Sequence, residues 1–262
     1  MIRIDPGQAT PTFKSLFDDS TPTSIRASAV LAGGNAGKIF TDDPTHPLWG
    51  LVQEADDGTL YPGGKLDQQI FAEVVTLLRQ DGYVALVFHE GDPNLELFPP
   101  CPEPAVECLE FDRPISSSDL SPYLGQLPAG YTFQRMDRSL LERTPRHKEY
   151  LSRYGSIENL LNRGIAVCIL HANEPVCEAF ADMDIQGSRE IGIRTQKEHR
   201  RLGLATVACA HLIRLCEEAG SATYWDCVQS NTGSVRLARK LGFQNERSYK
   251  AFLFRPISKS VE

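Results

Sequence analysis

Residues 190–206 read Glu190-Ile-Gly-Ile-Arg-Thr-Gln-Lys-Glu-His-Arg200-Arg-Leu-Gly203-Leu-Ala205-Thr206. Glu190 to Thr195 predicts a short strand, and a polar turn follows it. From Leu204 onward the apolar residues Leu204, Val207, Ala208, Leu212 and Leu215 share one helical face, and Gly220 is a natural stop. A helix opened by such a turn presents its first, unpaired N–H groups at the strand's end, and its positive end adds to them. Together these groups make an anion site. Gly203 lets the backbone come close to a phosphate, and the small Ala205 and Thr206 keep that approach open. Lys197, His199, Arg200 and Arg201 concentrate positive charge in a chain of formal net charge −7. A diphosphate satisfies every one of these elements. A solvated basic turn before a surface helix would use the same residues.

The elements on either side are regular. Tyr131 to Met136 alternates like a half-buried strand, and Ser139 to Arg163 holds helical segments broken by Pro145 and Gly155. Ile165 to Leu170 and Val176 to Met183 form a hairpin around Ala172-Asn173-Glu174-Pro175. Beyond Gly220 come a strand over Ala222 to Val228, a short helix over Thr232 to Leu241 and a strand over Tyr249 to Phe254. Helices packed on a mixed sheet follow from that order.

Upstream, prolines and serines punctuate Phe98 to about Gly130, which reads as an inter-domain connection. Residues 1–25 read as a surface wrap. Strand-like Gly37 to Asp43, Leu48 to Val52 and Tyr83 to Phe88, a turn at Asp56-Asp57-Gly58 and a helical pattern over Leu66 to Leu78, ended by Asp81-Gly82, make a smaller α/β part. Trp49, Phe88 and Phe98 are expected in its core. Ala32-Gly33-Gly34-Asn35-Ala36-Gly37-Lys38 lacks the first glycine and the closing hydroxyl of a phosphate loop, so it is a turn before a strand.

Composition bounds the function. With 262 residues, 41% hydrophobic and 23% charged, the chain is an ordinary globular protein of one large or two small domains. No apolar run is long enough to span a membrane, and the N-terminus lacks a signal peptide's apolar core, so a cytoplasmic protein is expected. The acidic balance disfavours nucleic acid as a partner. Seven scattered cysteines without a CxxC pair suggest reduced thiols in cores, and six histidines without an HxxxH pair leave no zinc motif, so no metal is expected.

Arg200-x-x-Gly203-x-Ala205 resembles the Q/R-x-x-G-x-G/A acetyl-CoA motif of the GNAT acetyltransferase superfamily. The stretch from Trp225-Asp226-Cys227 through Asn231 to Lys240-Leu241-Gly242-Phe243 is similar to that superfamily's strand, Asn-containing turn and short helix ending in Lys-x-Gly-Phe. The match covers roughly Gly130 to Arg255. The Trp-Asp-Cys strand, the Ser234-x-x-Leu237-Ala238 helix and the Gly37-Lys-Ile-Phe-Thr-Asp-Asp segment further resemble the zwittermicin-resistance-type GNAT subfamily.

The resemblance implies a fold and a site. The fold is α/β: a GNAT fold, which is a mixed, mostly antiparallel sheet with a central splay and flanking helices, over 121–262. A smaller α/β domain over 1–120, a degenerate GNAT-like relative, precedes it to wall off the acceptor pocket or to make homodimer contacts. Ile193, Arg194 and Thr195 would pair with the pantetheine arm of acetyl-CoA like an added strand. Arg200, Arg201, Leu202, Gly203, Leu204, Ala205 and Thr206 would hold its pyrophosphate. Asn231 would bond the cofactor near its thiol arm, or cap the following helix, or do both. Ser234 would donate to the cofactor, unless it is a plain helix-surface serine.

The implied reaction is acetylation of a small primary amine. A backbone N–H near Ile193 would stabilise the oxyanion. Glu190 is the first candidate for general base, followed by Glu178, Asp182 and Asp184, then Asp226. The superfamily often carries a Tyr four residues before the Gly of the closing Gly-Phe as general acid; here that position is Ala238. Ser234, a water, Tyr224 or Tyr249 would replace it, or no acid is needed. A catalytically silent acyl-CoA sensor and a peptide N-acetyltransferase are the alternatives.

Overall fold

The computed structural model describes residues 1–17, 22–55, 58–81, 84–89, 91–92, 94–95 and 104–255. The chain divides into two units, Met1–Cys108 with Ser248–Glu262, and Leu109–Arg247. It leaves the first unit, builds the second and returns. The junction expected at 120/121 falls inside the second unit, and the last strand belongs to the first.

The first unit begins with β1 (Ile2–Ile4), α1 (Pro11–Lys14) and α2 (Pro22–Leu31). Next come β2 (Gly37–Thr41), β3 (Trp49–Glu54), β4 (Thr59–Gly64), α3 (Gln68–Asp81) and β5 (Val84–His89). β1 to β4 are antiparallel neighbours, and β5 joins β4 in parallel. Alternation along these strands feeds two cores. Phe40, Leu51, Leu60 and Leu86 pack with Phe71 and Val74 of α3, while Ile39, Val52, Tyr61 and Val87 pack with Phe13 and Val30. A sheet buried on both faces needs apolar residues at consecutive positions, which explains the unbroken runs. Residues 1–25 are therefore more than a surface wrap: Phe13 and Phe17 are buried, their rings lying where a side chain at Gly50 or Gly63 would stand. Trp49 and Phe88 join the core as expected, whereas Phe98, Asp56, Asp57, Gly82 and Tyr83 lie outside the described residues.

Past that point the chain forms β6 (Val106–Arg113), α4 (Ser121–Leu124), β7 (Tyr131–Arg135), α5 (Arg138–Arg143), α6 (His147–Tyr154) and α7 (Ile157–Arg163). Then follow β8 (Ile165–His171), β9 (Glu174–Ala181), β10 (Ser188–Thr195), α8 (Leu204–Glu218), β11 (Ala222–Val228), α9 (Thr232–Lys240) and β12 (Gln244–Phe254). Residues 249–254 of β12 pair antiparallel with β5 in the first unit. In the second unit the strand order is β6-β11-β10-β9-β8-β7. β7 to β10 are antiparallel neighbours, and β11 joins β10 in parallel. Helix α8 covers one face over Cys177, Ala179, Ala181 and Ile191, and α5 to α7 cover the other over Ala166, Cys168 and Phe180. Gly155, at φ 75°, and the caps Asp137 and Ser156 set the breaks between those three helices.

The proline-rich stretch is less of a linker than its composition implies. It contains β6, whose Leu109 and Phe111 are buried in the second unit's core. The strand's length of eight residues was masked by prolines on both sides. Arg113, fully buried at the end of β6, donates Nε to the Leu241 carbonyl at 2.9 Å, Nη2 to the Ser118 carbonyl at 3.2 Å and Nη1 to Glu217. Substituting Arg113→Met removes the cation beside Glu217 and these donors, leaving Glu217 to the Ser116 N–H and the Leu241 carbonyl to the Ser118 hydroxyl, and should cost about 3 kcal/mol of stability. A urea denaturation midpoint equal to that of the parent would refute this role.

Candidate active site

The parallel pairing of β10 with β11 runs only from Ser188/Ala222 to Glu190/Tyr224. Beyond that rung β10 continues to Thr195 and β11 to Val228 with no further register between them. The strands splay. The Glu190 carbonyl accepts from Asp182 N–H, and Gln196 N–H donates to Val176, so both point toward β9. Alternation then turns the N–H and C=O groups of Ile191, Ile193 and Thr195 into the gap left by β11. Edge groups of this kind accept an extended ligand as an added strand.

At the end of β10 the backbone changes hand twice, at Arg201 (φ 61°) and Gly203 (φ 81°). Such alternation gathers N–H groups around one concavity. Gly203 is the N-cap of α8 and offers no side-chain cap, and the first α-helical bond is Val207 N–H to Gly203 at 3.2 Å. The N–H groups of Leu204, Ala205 and Thr206 precede it and face outward. Space beside Gly203 is open, so the glycine is required by its φ and not by a neighbour.

One cavity of about 590 Å³ collects these features. Ile193, Arg194, Thr195, Arg200, Arg201, Gly203, Leu204, Ala205, Thr206, Asn231 and Ser234 line it, together with His199, Gly233, Arg236, Leu237 and Lys240. Five arginines and lysines border the cavity and no carboxylate does. Leu202 is the one expected cofactor residue outside the lining; its side chain stands in solvent. Arg236 and Lys240, one turn apart on α9, escaped the sequence reading. Their spacing of four residues, with Gly233 three before Arg236, was the available signal.

Several side chains shape the cavity. Arg200 Nε donates to the Thr195 carbonyl at 3.0 Å, closing the turn. Tyr131 and His199 share a hydrogen bond of 2.8 Å through His199 Nδ1, and His171 packs against both rings. Asn231 Oδ1 caps α9 by accepting Ser234 N–H at 3.2 Å, which leaves its amide NH2 for a ligand. Ser234 Oγ accepts the indole N–H of buried Trp225 at 2.9 Å and has one proton to donate. Ala238 faces away from the cavity into the core.

The carboxylates expected to serve as bases lie on the other face of the sheet. Glu190, Gly192 and Arg194 alternate with the residues that face α8; Gly192 and Arg194 pair with Phe180 and Glu178 of β9, and the Glu190 carbonyl accepts the N–H of Asp182 just past the end of β9. Glu190 is buried at the last paired rung, opposite Tyr224. Arg153 of α6 contacts Glu190 at 2.8 Å and Asp182 at 2.7 Å. Tyr154 donates to Asp182, and Tyr150 donates to Glu178 at 3.0 Å. Burial, reinforced by the adjoining carboxylates, pushes both tyrosines well above their usual range, so they remain neutral donors. Arg146 and Arg153 lie over the Phe180 ring at 5.1 and 5.4 Å, and that ring fills the space a side chain at Gly192 would need. None of Arg153, Tyr150 and Tyr154 was singled out in the sequence, because their partners are distant along the chain.

The remaining candidates have structural partners. Asp184 accepts Gly187 N–H at 2.7 Å and the Ser221 hydroxyl, holding the turn before β10. Asp226 is half-buried, on the Tyr224 face of β11. Tyr249 is buried in the first unit's core. Cys168, Cys177 and Cys216 are free thiols pushed up to about 12 by burial, which suits packing rather than nucleophilic attack. Among the described residues no group of three or more metal-ligating side chains occurs, and no helix is long and apolar enough to cross a membrane.

The first unit repeats this strand-helix-strand layout with a different helix entrance. Between β4 and α3 the Asp67 carboxylate accepts Ile70 N–H at 2.8 Å, and Asn94 Oδ1 accepts Leu66 N–H at 3.0 Å. The chain's own groups, one of them an anion, fill the place that stands open at Gly203.

The profile of the family described as GNAT acetyltransferase matches residues 14–252. The protein named "Uncharacterized N-acetyltransferase YdfB" of Bacillus subtilis (strain 168) is 32% identical over 129 residues, 48% of this chain and 49% of that protein. The chain thus spans about half the length of this curated relative. A GCN5-related N-acetyltransferase-like protein from Streptococcus suis 89/1591 superposes with a TM-score of 0.69 at 21% identity, covering 91% of this chain and 96% of that one. A tandem GNAT protein from the clavulanic acid biosynthesis pathway superposes with a TM-score of 0.64 at 11% identity, covering 98% and 96%. These likenesses are of fold: a mixed sheet flanked by helices in the GNAT manner. Because Gly203 is held left-handed, Gly203→Ala should destabilise the protein by about 1 kcal/mol, read as a lowered Tm. A Tm equal to the parent's would mean the turn is not held in this conformation.

Proposed function

The chain belongs to the GNAT acetyltransferase family, and from that premise we propose that it moves an acetyl group from acetyl-CoA to the primary amine of a small molecule. The observation that carries this reading is the cavity at the α8 N-terminus, bordered by Arg194, Arg200, Arg201, Arg236 and Lys240 in a chain of net charge −7. Local cations and uncapped N–H groups favour a polyphosphate there over any neutral ligand.

Acetyl-CoA supplies an activated thioester. The chain's residues do the rest. The N–H groups of Leu204, Ala205 and Thr206, with Arg200 and Arg201, hold the pyrophosphate, and Arg236 and Lys240 add charge from α9. The splay-facing groups of Ile193 and Thr195 align the pantetheine arm, and Asn231 and Ser234 steady it from the opposite side. The Ile193 N–H, aimed into the gap, stabilises charge that develops on the carbonyl oxygen. Glu190, at the rung where the gap opens, takes the ammonium proton directly or through water. Most of the acceleration comes from holding both reactants in one slot.

The first unit is a degenerate GNAT-like domain. Its Asp67 cap repels a phosphate where Gly203 admits one, which supports a single cofactor site per chain. The Trp225-Asp226-Cys227 strand and the Gly37-to-Asp43 segment support a zwittermicin-resistance-type relative, with an amino-containing antibiotic or metabolite as acceptor, acting in the cytoplasm. Ala238 in the core, where the family often has Tyr, favours a second reading: a silent acyl-CoA sensor.

Calorimetry with coenzyme A should show one equivalent bound per chain. Arg201→Glu or Arg236→Glu should weaken it about tenfold or more, a loss of about 1.4 kcal/mol, while Asp67→Asn leaves it unchanged. No uptake of coenzyme A by the parent protein would end the proposal. Thiol release from acetyl-CoA over a panel of free amines and peptides separates enzyme from sensor and small acceptor from peptide. With an active amine, Glu190→Gln should lower kcat about a hundredfold. Binding without thiol release on any acceptor selects the sensor.

A further inference from the structure

We infer that Arg153 is the positioning residue that keeps Glu190 and Asp182 ionised side by side at the apex of the splay. This rests on the reading of Glu190 as proton acceptor. Arg153 Nη2 donates to both carboxylates, at 2.7 Å from Asp182 Oδ2 and 2.8 Å from Glu190 Oε2. Both acids are buried, with side chains 3% and 8% exposed, and the Arg153 side chain is 12% exposed. Two carboxylates held this close in a site poor in water share one proton unless a cation separates them. Arg153 is that cation, and the Phe180 ring beneath its guanidinium fixes its height over the sheet.

The other charged or titratable groups around Glu190 do not substitute for it. From α6, Tyr154 donates to Asp182 and is kept neutral by burial. From β9, Glu178 lies opposite Arg194, two same-face positions along the strand from Glu190, and accepts from Tyr150. From β10, Arg194 is drawn outward to Glu149 at 2.8 Å, as is Arg146 at the N-cap of α6, and Arg189 spends its guanidinium on the carbonyls of Asp182 and Arg163 at 2.7 and 2.8 Å and on the Ser221 hydroxyl at 3.0 Å. From β11, Tyr224 and Asp226 share the face and bring no positive charge. Glu190 therefore carries its negative charge at the slot's entrance because Arg153 is there, and an ionised Glu190 is the form that receives a proton from an ammonium group.

The test compares thermal unfolding of the parent protein, Arg153→Met and Arg153→Met/Glu190→Gln between about pH 5 and pH 8. The single variant leaves two buried carboxylates without their cation, so its Tm deficit is expected to be largest at pH 8. Acid should relieve it, because the pair's folded-state pKa is now raised and the proton it takes up removes the repulsion. The double variant has one carboxylate fewer and should recover at least half of the deficit at pH 8. Where Arg153→Met does not fold, folding of the double variant counts as that recovery. A deficit independent of pH, or a double variant no better than the single, overturns the inference, since lost packing alone predicts both. In turnover assays the acid limb of kcat/KM should move up by about one pH unit in Arg153→Lys, with KM for acetyl-CoA unchanged. An unmoved limb also overturns it. Coenzyme A binding, measured on the same proteins, reports separately on the acetyl-CoA site, so failure of one reading is distinguishable from failure of the other.

Discussion

Parallel strands joined through a helix must come apart somewhere if a ligand is to reach between them, and here they part after three residue pairs. The Glu190–Tyr224 pair closes the register of β10 with β11. Every chemical feature of the second unit is arranged about that point. The backbone groups of Ile191, Ile193 and Thr195 are freed on one side, a buried carboxylate marks the apex, and α8 starts where β10 ends. A sheet paired over the full length of both strands would satisfy more hydrogen bonds. The unpaired groups are tolerated because they line a cavity that water or a ligand enters.

The two units show what turns such a layout into an anion site. Each has a strand, a helix and a parallel strand in succession. At α3 the entrance is closed by Asp67 and Asn94, and at α8 it is left open by Gly203. A helix N-terminus carries roughly half a positive charge in either case. What differs is whether a side chain has already claimed it. An aspartate cap stabilises α3 by about 1 kcal/mol, and α8 forgoes that gain. The length of α8 and its nine buried side chains supply the stability that a cap would otherwise have given.

How far the sequence was legible follows from which signals are local. The helix from Leu204, its stop at Gly220, the hairpin of β8 and β9, and the strand before Asn231 all carry periodicity or turn residues within a few positions, and they stand where that pattern puts them. β4 and β6 were missed because Pro62 interrupts one and prolines surround the other, so composition outweighed alternation. The phosphate-side residues were legible because a turn and a helix start are contiguous in sequence. The opposite face was not. Glu190, Asp182 and Arg153 come from three elements, and the identity of the cation that joins them depends on tertiary packing that no spacing encodes. Arg236 and Lys240 fell between these cases: they are local to each other, but the direction in which α9 presents them was not evident.

Charge is divided by the sheet itself. On the α8 side, Arg200, Arg201, Arg236 and Lys240 border one cavity whose lining holds no acid. On the α6 side, Glu178 of β9, Asp182 just past its end and Glu190 of β10 stand together, with Arg153 shared between the last two. Alternation along β10 is what separates them, since Glu190, Gly192 and Arg194 point one way and Ile191, Ile193 and Thr195 the other. Gly192 sits between acidic Glu190 and basic Arg194 on that face, and the Phe180 ring rests on it in the space a side chain would need. A polyanion and an ammonium group would each find the complementary charge on its own side, and the opening after Glu190 is where their reacting atoms would meet.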